Sequence, residues 1–176
     1  DPVLGSGRMG VAFGSSSGSP PAIAEFGYML VHKCTDGLNA TSYVRMMPHT
    51  AAVNVSLFFG IVGRVIPTCS ACTAGSQAIG YAYEAIRSGR QTLMLAGGAE
   101  ELDPTQVAVF DTLYATSTRN GEPQLTPRPY DAGRDGLVIG EGAGALVLEE
   151  RAHALARGAR VIAEIVGFGT NADGEH

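Results

Sequence analysis

Short apolar runs alternate along this chain with segments in which apolar residues recur at helical spacing. Apolar runs bounded by glycine, proline or polar residues predict strands at residues 11–13, 64–68, 92–96, 136–148 and 161–166. Strands that alternate with helices pair into a largely buried sheet with helices packed on its faces. The pattern therefore predicts a layered α/β fold.

The predicted helices have clear starts and ends. Pro20 opens the first and Pro48 the second, a third follows Cys72, and Gly60 and Gly89 end the second and third. The residues at helical spacing are Ile23, Phe26, Leu30 and Val31 in the first helix, Ala51, Val55, Phe58 and Phe59 in the second, and Ala74, Ala78, Tyr81, Ala82 and Ala85 in the third. Further helices are predicted at residues 104–113 and 149–157, and loops with short helical pieces at 33–48.

Composition excludes several classes of protein. Hydrophobic residues make up 45% of the chain and charged residues 16%, which favours a globular enzyme over a disordered chain. The 24 glycines show no three-residue period, so collagen is excluded. A formal net charge of −5 provides no broad basic surface for nucleic acid.

Cysteine number and chain ends bear on location and completeness. Three cysteines are too few for a disulfide framework, which favours a reducing compartment, and we expect a cytoplasmic protein. No run is long enough to span a membrane, and no signal peptide opens the chain. Neither end resembles a natural terminus. We therefore expect residues 1–176 to be one domain that is incomplete at both ends.

The hexapeptide SACTAG at residues 70–75 carries the strongest chemical signal, because it lies between a predicted strand and a predicted helix. A residue at such a junction lies on a sharp turn beside the backbone N–H groups of the helix start. Those donors and the helix dipole favour a thiolate and stabilise an oxyanion on an acyl carbonyl. Cys72 is thus the candidate nucleophile.

Two other interpretations of Cys72 remain open from the residues alone. Most cysteines are small buried apolar residues, and Cys72 fits that description equally well. Cys69 and Cys72 also have the spacing of a redox pair or half a zinc site. A zinc site needs four ligands, and no second pair with ligand spacing follows.

A series of further motifs extends along the chain in a fixed order and resembles the β-ketoacyl-ACP synthases. The resemblance covers nearly the whole chain. The motifs are PHTAA at residues 48–52, SACTAG at 70–75, AGGAEEL at 96–102, FD at 110–111, STR at 117–119, RPYD at 128–131, RDG at 134–136, GEGAG at 140–144, LVLEE at 146–150 and GFG at 167–169, with Asp173 after them.

The resemblance implies a thiolase-like layered fold, α/β/α/β/α in the full protein, of which this chain is mainly the N-terminal half. It also implies a reaction in fatty acid synthesis or a related polyketide pathway. Cys72 takes an acyl group from acyl-ACP as a thioester, malonyl-ACP loses carbon dioxide, and the resulting carbanion attacks the thioester. The residues at 100–102 and 110–111 favour an elongating synthase. The presence of Cys72 argues against the related chain-length factors.

The resemblance further implies acyl carrier protein as partner, a homodimer, and two catalytic histidines in the second half of the fold. The segment alone is therefore expected to be inactive in condensation. His32, His49 and His153 do not replace the catalytic pair, and His176 resembles a family histidine outside it. We expect no cofactor, no metal, no nucleic acid and no membrane. The alternative function is a non-catalytic synthase half that binds carrier protein or dimerises.

Several other residues are candidates for roles around Cys72. Residues 116–134 are predicted to form a long loop, and Asp131, Arg134 and Asp135 a structural ion network. The glycines of residues 140–144 indicate close strand–helix packing rather than a phosphate site. The candidates for lining an acyl pocket are Met47, Val107 and Phe110, and those for contacting an acidic carrier protein are Arg45, Arg64 and Arg119.

Overall fold

The computed structural model describes residues 2–174. Within that range the helices and strands alternate as the sequence predicts. The helices are α1 (Pro20–His32), α2 (Ala40–Arg45), α3 (Thr50–Phe59), α4 (Ala74–Arg87), α5 (Pro104–Thr112) and α6 (Arg151–Ala156), and the strands are β1 (Met9–Gly14), β2 (Val65–Thr68), β3 (Leu93–Glu100) and β4 (Gly142–Glu149).

The four strands form one sheet in the order β2-β1-β3-β4. The central strand β1 pairs in parallel with β2 and with β3, so that Val11 lies between Val65 and Leu95. Pro67 lies on β2, which is an edge strand, and an edge strand tolerates the missing N–H of proline. Because β1, β2 and β3 are parallel, their carboxyl ends meet at one edge of the sheet.

The core lies on both faces of β1. On one face Val11 and Phe13 pack with Ala52 of α3. On the other face Ala12 packs with Ala78 of α4 and with further small residues of that helix. The small-residue face predicted for α4 is therefore confirmed, and the sheet is covered by a helix on each side.

Strand β3 runs further than the sequence predicts. Gly97 and Gly98 were expected to close the strand after Ala96, but it continues to Glu100. A Cβ atom on Gly97 would lie 2.0 Å from the carbonyl oxygen of Gly144, so glycine here allows the backbone of β4 to approach. These glycines thus extend the pairing instead of ending it.

The strand predicted at residues 161–166 is wrong, because that segment forms no strand in the structure. Ile162 is 94% exposed. The end of the segment packs on α4, where the hydroxyl of Tyr83 donates to the carbonyl oxygen of Val166 at 3.2 Å. A few residues on, the Phe168 ring contacts Tyr81 edge to face. A strand requires a paired neighbour, and the segment is instead bonded to a helix at its end. Strand β4 and helix α6 also begin later than predicted.

The apolar faces predicted for the first two helices are only partly the buried ones. In α3 the predicted residues Ala51 and Val55 are half-buried and pack against the core. The fully buried residues there include Ala52 and Ser56, whereas Phe58 is 83% exposed. In α1 Ala22 is buried, and Leu30 near the end of the helix is exposed. Helical spacing correctly predicted that these segments are helices, but it predicted their buried residues only in part.

The chain divides into two compact units. The larger contains residues up to 100 together with those from 143 onward, and holds the sheet. The smaller, residues 101–142, contains α5 and the long loop predicted at 116–134, which is closed by a bridge between Thr116 and Leu137. In the described part of the chain, no helix combines the length and apolar character required to cross a bilayer.

Candidate active site

Cys72 lies on the turn that joins β2 to α4, at the carboxyl edge of the parallel strands. The residue before it, Ala71, has a φ of 49°, in the left-handed region that residues other than glycine rarely occupy. Such a backbone persists only where the surroundings hold it, and it is characteristic of functional turns. The Cys72 side chain is exposed and its thiol is not in a disulfide. The predicted sharp turn is confirmed, and the interpretation of Cys72 as a buried apolar residue is wrong.

The start of α4 is fixed by close backbone contacts. A Cβ atom on Gly14 would lie 2.5 Å from the carbonyl carbon of Ala74, and one on Gly98 would lie 3.0 Å from the Cα of Gly75. The buried Thr68 hydroxyl donates to the carbonyl oxygen of Ala74 at 2.8 Å. Glycines at the ends of β1 and β3 thus let the helix start lie directly on the sheet edge.

This placement has a chemical consequence. Cys72 lies in the short 3-10 turn, residues 71–73, that leads directly into the 14-residue helix α4, so it is close in sequence to the N-terminal end of that helix. The N–H groups at a helix start can stabilise negative charge that develops on an acyl oxygen. The arrangement suits an exposed nucleophile that receives an acyl group.

Cys69, three residues earlier, has different surroundings. Its Sγ lies 3.5 Å from the carbonyl oxygen of Ser16, to which the thiol donates. Cys34, Cys69 and Cys72 all have free thiols in the structure, so Cys69 and Cys72 are not joined. Among the described residues there is no group of three or more histidines, cysteines or acidic residues with metal-site geometry.

The predicted pocket residues belong to both compact units. Met47 is half-buried in the unit that holds Cys72, between α2 and α3, and its carbonyl oxygen accepts from the Thr50 hydroxyl at 2.7 Å. Val107 and Phe110 lie on α5 in the smaller unit, where Val107 is 42% exposed and Phe110 is half-buried. Their role in lining one pocket stays a prediction.

The predicted carrier-contact arginines are also distributed over both units. Arg45, at the end of α2, forms a long ion pair with Glu25 at 3.8 Å. Arg64 is exposed just before β2. Arg119, in the smaller unit, forms an ion pair with Asp135 at 3.4 Å. Partly exposed, long ion pairs of this kind hold an arginine only weakly.

The ion network predicted around residues 131–135 is present with different partners. Asp135 accepts from the Ser117 hydroxyl at 2.7 Å and pairs with Arg119. The Ser117 hydrogen bond, followed by the charge of Arg119, holds the pKa of Asp135 below its usual value. Arg134 instead donates to the backbone carbonyl oxygen of Asp131 at 2.9 Å. The network stabilises the loop.

The three histidines among the described residues lie on or beside helices. His32 stacks on Tyr28 at the end of α1, and His153 bonds to Glu149 at the start of α6. His49 lies at the start of α3, and its side chain makes no capping bond. His176 lies outside the described residues.

Glu100 has a role that sequence reasoning missed. Its carboxylate accepts hydrogen bonds from the loop that follows β1. The position of Glu100 at the end of a parallel strand could have indicated this role, because the loops of neighbouring strands meet there. The predicted strand ends at Ala96, however, so the sequence did not place Glu100 at a strand end.

Comparison with known proteins identifies the family. The family model described as "Beta-ketoacyl synthase, N-terminal domain" matches residues 2–154. The chain belongs to the β-ketoacyl synthase family. The resemblance found from the motifs is thereby confirmed.

Curated relatives include synthases of two pathways. The chain is 43% identical over 170 residues to 3-oxoacyl-[acyl-carrier-protein] synthase 2 of Vibrio harveyi, covering 96% of this chain and 41% of the relative. It is 39% identical over 177 residues to a putative polyketide β-ketoacyl synthase 1 of Streptomyces halstedii, covering 96% and 42%. The chain thus spans about two fifths of the length of the relatives it matches.

Solved structures confirm the fold class. A β-ketoacyl synthase from Burkholderia phymatum superposes with a TM-score of 0.95 at 67% identity, covering all of this chain and 43% of that one. A ketosynthase solved with its type II polyketide acyl-carrier protein and bound to the hexaketide superposes with a TM-score of 0.75 at 34% identity, covering 88% and 40%. The fold is thiolase-like, and the described chain forms its N-terminal half.

Proposed function

We propose that the protein is a β-ketoacyl-ACP synthase in which Cys72 is the acyl-carrying nucleophile. The observation that carries the proposal is the exposed, free thiol on a strained turn at the start of α4, at the carboxyl edge of three parallel strands. Membership of the β-ketoacyl synthase family supports the same assignment. No other cysteine of the described chain combines exposure with a helix start.

The first half-reaction follows from this placement. The Cys72 thiolate attacks the thioester carbonyl of acyl-ACP, and the negative charge that develops on the carbonyl oxygen is stabilised by N–H groups at the helix start. Collapse of this intermediate releases the thiol of the carrier protein and leaves the acyl group on Cys72. The second half-reaction joins this acyl group to the carbanion left when malonyl-ACP loses carbon dioxide. We assign that step to the whole protein.

The partner proposed for both half-reactions is acyl carrier protein. Support comes from the names of the curated relatives and from the solved relative described as an acyl-carrier protein in complex with its ketosynthase. Arg45, Arg64 and Arg119 remain the candidates for contact with this acidic partner, and Met47, Val107 and Phe110 those for the acyl pocket. A homodimer and a cytoplasmic location belong to the same proposal. Relatives of both pathways keep fatty acid and polyketide synthesis as alternatives.

Intact-mass analysis after incubation with acyl-ACP tests the nucleophile. We expect a mass gain of one acyl group that disappears in Cys72→Ala and persists in the matched control Cys69→Ala. If instead the gain disappeared in Cys69→Ala and persisted in Cys72→Ala, Cys69 and not Cys72 would be the nucleophile. An absence of acylation in the protein itself would contradict the proposal and favour a non-catalytic module that binds carrier protein or dimerises.

Mass analysis also tests the thiol redox alternative. Mild oxidation followed by mass analysis would show the loss of two hydrogens if Cys69 and Cys72 formed a reversible disulfide. We expect both thiols to remain reduced, because the Cys69 thiol is directed at the Ser16 carbonyl oxygen.

A further inference from the structure

The carboxylate of Glu100 is bonded to the loop that follows β1. It accepts from the Ser15 hydroxyl at 3.3 Å, and its two oxygens accept from the backbone N–H of Ser16 at 3.2 and 3.0 Å. Ser15 is buried and Glu100 half-buried. Hydrogen bonds to a carboxylate are stronger than those between neutral groups. One side chain at the end of β3 therefore fixes the end of β1 and the loop after it.

That loop is bonded in turn to both sides of the nucleophile. The Cys69 thiol donates to the Ser16 carbonyl oxygen at 3.5 Å, before the turn. The Ser15 N–H donates to the Thr68 carbonyl oxygen at 3.2 Å, and the Thr68 hydroxyl donates to the Ala74 carbonyl oxygen at 2.8 Å, after the turn. Two chains of hydrogen bonds thus lead from one carboxylate to the residues that flank the nucleophile.

The turn between these anchors needs external support. Ala71 lies in the left-handed region, and a non-glycine residue stays there only when the surrounding structure holds it. A misplacement of about 1 Å at a reacting group costs on the order of 100-fold in rate. We propose that Glu100 is a positioning residue for Cys72, acting through the Ser15–Ser16 loop. The proposal rests on the proposed function of Cys72 as the acyl acceptor.

The kinetic test compares Glu100→Ala and Glu100→Gln with the exposed neighbour variant Glu101→Ala. Because the turn loosens without the carboxylate, we expect Glu100→Ala to slow acylation of Cys72 at saturating acyl-ACP by roughly ten-fold, with the half-saturating concentration unchanged. Glu100→Gln retains one acceptor oxygen for the Ser16 N–H and should recover most of the rate. Glu101→Ala should behave as the unmodified protein. If Glu100→Ala does not fold, Glu100→Asp, with its carboxylate drawn back by one methylene, replaces it.

A second readout separates positioning from general loosening. Loss of Glu100 releases Ser16, so alkylation of Cys69 should accelerate relative to alkylation of the half-buried Cys34. General destabilisation would accelerate both reactions equally. An unchanged acylation rate in Glu100→Ala, or an unchanged ratio of Cys69 to Cys34 labelling, would overturn the proposal. Failure of the unmodified protein to acylate would overturn the proposed function instead, while the labelling ratio would still decide the role of Glu100.

Discussion

Replacing Gly14 by alanine should disturb the helix start that carries the nucleophile. A Cβ atom there would lie 2.5 Å from the carbonyl carbon and 2.6 Å from the carbonyl oxygen of Ala74, and 2.7 Å from the Thr68 hydroxyl. The first two atoms are backbone and cannot rotate away. Overpacking typically costs about 1–3 kcal/mol, and we expect the upper end of that range. For a chain of this size, about 3 kcal/mol lowers the melting temperature by roughly 6–12 °C.

Gly75→Ala is the matched control, since it adds the same methyl group to the residue that follows Ala74 at the start of α4. Its Cβ atom would lie 3.7 Å from the Cα of Gly98, an ordinary van der Waals distance. Alanine is favoured over glycine inside a helix by up to about 1 kcal/mol, so the control should be neutral or slightly stabilised. Thermal unfolding followed by circular dichroism measures both variants, and acylation of Cys72 should fall in Gly14→Ala. Equal melting temperatures for the two variants would refute the steric argument.

Two further predictions concern stability outside the active site. Hydrogen bonds from Arg157, then from His153, lower the pKa of Glu149 to about 2, so the stability that this carboxylate contributes is present above its usual pKa of about 4.3 and is lost as pH falls towards 2. Arg157→Ala should therefore lower the melting temperature at pH 7 but not near pH 2. An equal decrease in melting temperature at both pH values would contradict this assignment. Asn39 caps α2 by accepting from the Thr41 N–H at 2.9 Å, so Asn39→Ala should cost about 1 kcal/mol in urea unfolding and Asn39→Gly only a few tenths. Equal losses for the two Asn39 variants would show that the cap does not stabilise the helix.

Local signals in the sequence were sufficient for the elements around Cys72. A strand followed by the SACTAG turn and a helix of small residues predicted β2, the turn and α4, and all three are present. The signal succeeded because a buried small-residue helix face needs no information beyond its own spacing. Pro67 does not interrupt β2, because this strand lies at the edge of the sheet, where a missing N–H is tolerated.

Long-range contacts account for what the sequence could not predict. From the local sequence Gly97 predicts the end of a strand, and only the close approach of Gly144 explains why the strand continues through it. The apolar residues 161–166 have the composition of a strand, yet they form none, and at their end the Val166 carbonyl oxygen accepts from Tyr83 of α4. No local pattern distinguishes these two outcomes. The role of Glu100 also depends on long-range contacts, because its hydrogen bonds reach residues about 85 positions earlier in the chain. A carboxylate acquires a role in the active site only when the parallel strands bring its loop partners to the same edge, so the residues that position a nucleophile are the ones that sequence reasoning finds last.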